Sequence, residues 1–164
     1  MRRIATAGLV LTVSLTACGG SATNPTAGAQ TQKQADYYAI DQIERTWHKA
    51  SSTKNVDLMM TVWAPNATFS VGPETLSGKK QIRGFFVHKA GPFQPGNHWV
   101  SETPAYKIRI TANGDNGTLY FECHYVDVKT GKVVNVVAAD QDVKKIGGKW
   151  LITSSSAAPA TLGS

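Results

Sequence analysis

The sequence predicts an α+β domain in which three N-terminal helices pack on one face of a curved, mainly antiparallel sheet. Three observations predict it. Apolar residues recur at helical spacing in three segments between residues 36 and 90; beyond Pro95-Gly96 the pattern changes to period two; and turn-forming clusters divide that second half into four strands. Helices followed by an antiparallel meander are the order of an α+β layer fold. A sheet covered on one face while its strands curl leaves a cavity between helices and sheet.

Ile40, Ile43, Trp47 and Ala50 share one helical face, which predicts a first helix over residues 36–51. The second covers residues 56–63, with Asn55 as N-cap, Asp57 favouring the dipole in its first turn, and Val56, Met59, Met60 and Trp63 on one face. Pro65 ends it. Ala67 to Val71 forms a strand closed by Gly72-Pro73, and Thr75-Leu76 can add a short one. Ser77 caps a third helix over 78–90, with Ile82, Phe85, Phe86 and Ala90 inward and Lys79, Lys80, Arg83 and Lys89 on a solvated face. Strands follow at about 98–111, 117–128, 133–145 and 149–155, separated by the turn residues 113–117, 129–131 and 147–148. The domain is bounded at 35–157, with a frayed tail at 158–164.

The chain has 164 residues, a formal charge of +6 and an apolar fraction of 41%, too apolar for a disordered chain. Two cysteines cannot form a disulfide scaffold, and a single long apolar run at the extreme N-terminus excludes a channel or transporter. That run, Ile4 to Ala17 behind Arg2 and Arg3, would make about 21 Å of helix, short of the roughly 30 Å hydrocarbon core. It ends in Leu15-Thr16-Ala17-Cys18, followed by Gly19, Gly20 and Ser21, and resembles the lipobox of bacterial lipoproteins. The resemblance implies a signal peptide over 1–17, cleavage after Ala17, and a thioether-linked diacylglycerol on Cys18. It implies a place in the bacterial cell envelope, lipid-anchored on the extracytoplasmic side. Residues 18–34, rich in Gly, Ser, Thr, Asn, Pro, Ala and Gln, are expected to be a flexible tether. Loss of Arg2 and Arg3 leaves a charge of +4, which suits an anionic envelope surface; with no basic-aromatic interleaving, no nucleic-acid partner is expected. Cys123, within Leu119 to Tyr125, is expected to be a buried small hydrophobe.

Residues 36–156 resemble the nuclear-transport-factor-2-like superfamily, the cone-shaped α+β fold, and within it the polyketide-cyclase-like and dehydratase-like members. Four passages carry the resemblance: Asn55-Val56-Asp57 leading to Val62-Trp63-Ala64-Pro65-Asn66-Ala67-Thr68-Phe69; Gly78 to Ile82 with Phe85-Phe86; His98 opening a long strand; and the closing Gly148-Lys149-Trp150-Leu151-Ile152. The superfamily includes isomerases, dehydratases, cyclases and ligand carriers, so function must come from the site. The ketosteroid-isomerase pattern implied by the resemblance needs a tyrosine, a carboxylate base and a protonated Asp. Those positions fall on Trp47, near Val71 and on Asp140, and valine cannot accept a proton. The dehydratase pattern uses pocket histidines to move protons, and His98 matches one of them. In strict alternation His98, Glu102 and Tyr106 share a face, expected inward, where Glu102 could orient His98. Asp140 follows an apolar run and, if buried, needs a partner or a proton. Glu122 and His124 are expected to face out, and His48 to be solvated.

Two functions are open. The favoured one is a membrane-anchored domain that binds a small apolar ligand, lined by Trp47, Met60, Phe86 and Tyr106, or a partner envelope protein, as monomer or homodimer. The alternative is a cofactor-free lyase or isomerase of the dehydratase or polyketide-cyclase type, with His98 as base, Asp140 as hydrogen-bond donor and Glu102 orienting His98. The scattered histidines lack metal-ligand spacing, and neither a phosphate-binding glycine loop nor a dinucleotide fingerprint is present, so no metal or cofactor is expected.

Overall fold

The computed structural model describes residues 25–101 and 105–161. Helix α1 spans Pro25–Ser52 and α2 spans Val56–Met60; β1 covers Trp63–Val71 and β2 Glu74–Ser77; α3 covers Gly78–His88. After a 3-10 turn at Gly91–Phe93 come β3 (Trp99–Ser101), β4 (Tyr106–Asn113), β5 (Asn116–Asp127), β6 (Lys132–Ile146) and β7 (Lys149–Pro159). The predicted α+β architecture is the one observed. Seven strands form one sheet in the order β2-β1-β7-β6-β5-β3, with β4 also on β5. Only β1 and β7 run parallel.

Several boundaries differ from the expectation, each for a local reason. Within the described residues α1 already covers 25–34, so those residues are helix and not flexible tether. The Ala, Gln and Lys of this stretch are strong helix formers. Gln32 Nε2 donates to Asp36 Oδ1 at 3.2 Å, and the Lys33 ammonium lies over the Tyr37 ring. Asp36 also accepts from Lys145 Nζ (2.6 Å) and Trp150 Nε1 (3.1 Å), which pins the helix to the β6–β7 end of the sheet. Helix α2 stops at Met60 because the chain enters the sheet at once: Ile152 N donates to Val62 O at 2.8 Å, and Trp63 pairs with Ile152. Pro65 falls in the register shift between Trp63 and Thr68, where a missing N–H costs no ladder bond. Strand β7 runs past residue 155 to Pro159, so Ala158 and Pro159 belong to the sheet and not to a frayed tail.

The expected long strand over 98–111 is broken into β3 and β4, both paired with β5. A register shift lies between Tyr106 and Arg109, and Lys107 there has a φ of 50°, a left-handed conformation uncommon for a side-chain-bearing residue. One alternation therefore does not run through the segment. Gly117, expected where the turn gives way to the strand, sits within β5 under α1. A Cβ there would run into the Thr111 carbonyl oxygen and approach Ile40 Cδ1 to 3.1 Å.

The core lies between α1–α3 and the concave side of the sheet. Ile40, Ile43, Trp47 and Ala50 are all buried, as are Leu119, Phe121, Cys123 and Tyr125, which match the inward stripes of the sequence. The Trp47 ring is the hub, within 5.6–6.4 Å of Trp63, Phe69, Phe86 and Phe121. Among the described residues no helix is long and apolar enough to cross a membrane.

Candidate functional site

Where helices and sheet diverge they leave a cavity of about 170 Å³. Six elements and the 3-10 turn build it: Trp47 from α1; Phe69 and Val71 from β1; Phe85 and Phe86 from α3; Phe93 from the turn; Tyr125, Asn135, Val137 and Ala157 from β5, β6 and β7. A dry cavity of about 150 Å³ lined by apolar side chains is enough to bind benzene. The space therefore suits one ring with a short substituent.

The lining is apolar except at three points. Tyr125 is buried, and burial pushes its hydroxyl well above its ordinary pKa of 10.0, so it remains a neutral phenol. Asn135 is half-buried, and its amide makes no hydrogen bond among the described residues. Lys89 is exposed and forms part of the rim. Its ammonium donates to both Glu74 carboxylate oxygens at 2.7 and 2.8 Å. The sequence placed Lys89 on a purely solvated face; its position just past the last turn of α3 brings it to the cavity instead.

Of the expected binding residues, Trp47 and Phe86 border the cavity. Met60 is buried in the core but not on the lining. Tyr106 is 48% exposed and lies beside the His124 ring, 4.8 Å away. It pairs with Glu122, on the side of β5 opposite Phe121 and Cys123; the inward residue of β3 is Ser101, which pairs with buried Tyr125, so the stripe read as inward is the outward one. His98 is exposed just before β3, and its carbonyl accepts from Val128 N at 3.1 Å. Asp140 is exposed on β6, alternating away from buried Ala139 and Gln141. Neither borders the cavity, so the structure does not bring His98 and Asp140 together there. Glu102 and Cys18 lie outside the described residues.

Three polar residues read as solvated or outward are buried. Glu122 and His124 point away from the cavity as expected, but Tyr106 and the bulged Lys107 cover them. The Tyr120 hydroxyl donates to Glu122 Oε1 at 3.0 Å, with Lys107 Nζ 3.5 Å from the same oxygen. His48 is fully buried, because β3 and the start of β4 cover a second side of α1 that a one-stripe helix reading leaves open. Its Nδ1 is 2.7 Å from Ser101 Oγ, and its Nε2 is 3.5 Å from Cys123 Sγ and 3.6 Å from Glu44 Oε1. Glu44 Oε1 also accepts from Ala105 N at 2.7 Å. This cluster ties α1 to β3, to Ala105 just before β4, and to β5, and does not border the cavity.

Burial pushes the Cys123 thiol up to about 12. Almost no thiolate exists at neutral pH, and the thiolate is the nucleophile. Cys123 should therefore resist a thiol reagent in the native protein and react fully in denaturant, read by mass on a Cys18→Ser chain. Rapid native labelling would contradict the packing described. Among the described residues no three His, Cys, Asp or Glu side chains gather as a metal site.

The SnoaL-like domain profile matches residues 32–156. The chain belongs to the SnoaL-like domain family. Solved structures share the fold of this SnoaL-like domain. An NTF2-like protein with a cystatin-like fold from Novosphingobium aromaticivorans aligns over 88% of this chain and 94% of its own, at 15% identity and a TM-score of 0.71. An NTF2-like protein of unknown function from Pseudomonas putida covers 79% and 91%, at 14% identity and 0.67. The hexachlorocyclohexane dehydrochlorinase LinA-type3 of Novosphingobium barchaimii covers 80% and 91%, at 12% identity and 0.66. Identities this low carry the fold alone. Among curated proteins none matches the sequence.

Proposed function

We propose that this SnoaL-like domain binds a small, mostly apolar molecule of one-ring size in its cone cavity, held at the extracytoplasmic face of a bacterial membrane by a lipid on Cys18. The observation that carries the binding reading is the lining. It is closed in by aromatic and aliphatic side chains, and among the described residues no carboxylate or imidazole borders it. Binding needs apolar enclosure and a few placed polar groups, which are present. A lyase needs a base aimed at the substrate, and Lys89 and Tyr125 are the only titratable side chains on the described lining. The lipid anchor rests on the run from Arg2 to Cys18.

The test is mass spectrometry of the full chain expressed in a bacterial envelope, under native and denaturing conditions. The expected result is a bound mass lost on denaturation, on a polypeptide that begins at Cys18 and carries added acyl mass. A clean native mass, with no thermal shift from benzene, toluene or cyclohexane, would overturn the binding reading. A chain that retains residues 1–17, or begins elsewhere without acyl mass, would overturn the anchor.

A further inference from the structure

The geometry points to a single-ring monocarboxylate, aromatic or alicyclic, as the ligand of the cavity; this rests on the binding reading above and names its chemistry. Among the described residues Lys89 is the only charged side chain that borders the cavity. It stands at the rim, so a ring seated against Phe69 and Phe86 can present a carboxylate to the ammonium without burying a charge. Its present partner, Glu74, does not border the cavity. Glu74 is held there from β2, at the edge of the sheet, and the pair is open to water, with Lys89 55% and Glu74 40% exposed. Such a pair contributes little and exchanges readily.

The second, independent observation is Asn135. Its half-buried amide faces the same cavity and has no hydrogen-bond partner among the described residues. An amide N–H at this position can meet the second oxygen of a carboxylate. Cation, amide donor and apolar box together select an anionic head on a small ring. In the bound state the ligand's carboxylate replaces that of Glu74 on Lys89, and Glu74 turns to solvent.

Isothermal titration of the full chain with benzoate, its neutral isostere benzamide, and toluene tests this. Benzoate is expected to bind about three- to tenfold more tightly than benzamide, with the preference shrinking as salt is raised. Glu74→Gln frees Lys89 and should widen the preference; Lys89→Met should erase it. If benzamide binds as well as benzoate, or the preference survives in Lys89→Met, the carboxylate inference fails while the cavity still binds, so the binding reading stands. If none of the three probes binds, the binding reading fails and the inference with it.

Discussion

Truncation of Phe86 to alanine should lower the unfolding free energy by about 3–5 kcal/mol, the usual cost of removing a buried aromatic ring. The ring is 3% exposed. It stacks on Phe69 at 5.9 Å and 8°, and meets Trp47 edge-on at 5.6 Å and Phe93 at 5.2 Å. These neighbours sit on three different elements, so no single side chain can move in to fill the space. The new volume adds to the cavity of about 170 Å³, so the variant should accept larger apolar probes while it remains folded. A domain's whole stability is only about 5–15 kcal/mol, so urea unfolding is best compared at low temperature, with Phe86→Leu as a milder form. Tyr106→Ala, at a residue off the cavity, should stay within about 0.5–1 kcal/mol and leave ligand binding intact. A loss under 1 kcal/mol at Phe86, or an equal loss at Tyr106, would contradict the described core.

The second large effect belongs to Glu44. It is fully buried, and Oε2 makes no hydrogen bond among the described residues. Burial holds its carboxyl above the ordinary value of 4.5, outweighing the Ala105 N–H that favours the charged form. The folded chain therefore holds this proton more tightly than the unfolded chain. The resulting stability is fully present below the unfolded value and is lost as pH rises through the folded one, at up to about 1.4 kcal/mol per pH unit. Glu44→Gln keeps an acceptor for Ala105 and cannot ionise. It should flatten the fall above pH 4.5 and be the more stable protein at neutral pH. Glu44→Ala leaves a buried N–H without its acceptor and should cost about 1–3 kcal/mol. Denaturation curves across pH decide it: superimposable profiles for wild type and Glu44→Gln would show that Glu44 carries no such linkage. Asp36 acts in the opposite sense at the acid end. Hydrogen bonding from Lys145, then Trp150 and Gln32, lowers its pKa, so its contribution is present above 3.8 and lost as pH falls.

The two sites were legible in the sequence to different degrees. Trp47 and Phe86 could be placed at the cavity because each lies on a helical stripe that faces the sheet, and a stripe is a local property. Lys89 and Asn135 could not. Whether a polar side chain at the end of an element borders a cavity depends on how far the neighbouring elements splay. His48 was misread for a related reason. Periodicity identifies one apolar stripe, whereas α1 is covered on two sides, the second by β3 and the start of β4 reaching over Glu44 and His48. The stripe of His98 and Tyr106 was read as inward, but the inward residue of β3 is Ser101, buried against Tyr125 and His48, and both His98 and Tyr106 are exposed; which face of a short edge segment packs inward is set by its partners and not by alternation.

From the sequence alone follow the three helices, the antiparallel meander, the inward stripes of α1 and β5, the family of the fold, and the expectation of a lipidated Cys18. These depend on residues within a few positions of one another, where period and turn chemistry act. Tertiary structure alone decided that His98 and Asp140 stand away from the cavity, and that Lys89, Tyr125 and Asn135 supply its polar points. Those outcomes depend on the crossing of α1 and α3 over a curled sheet, which brings together side chains up to 110 positions apart, from Trp47 to Ala157.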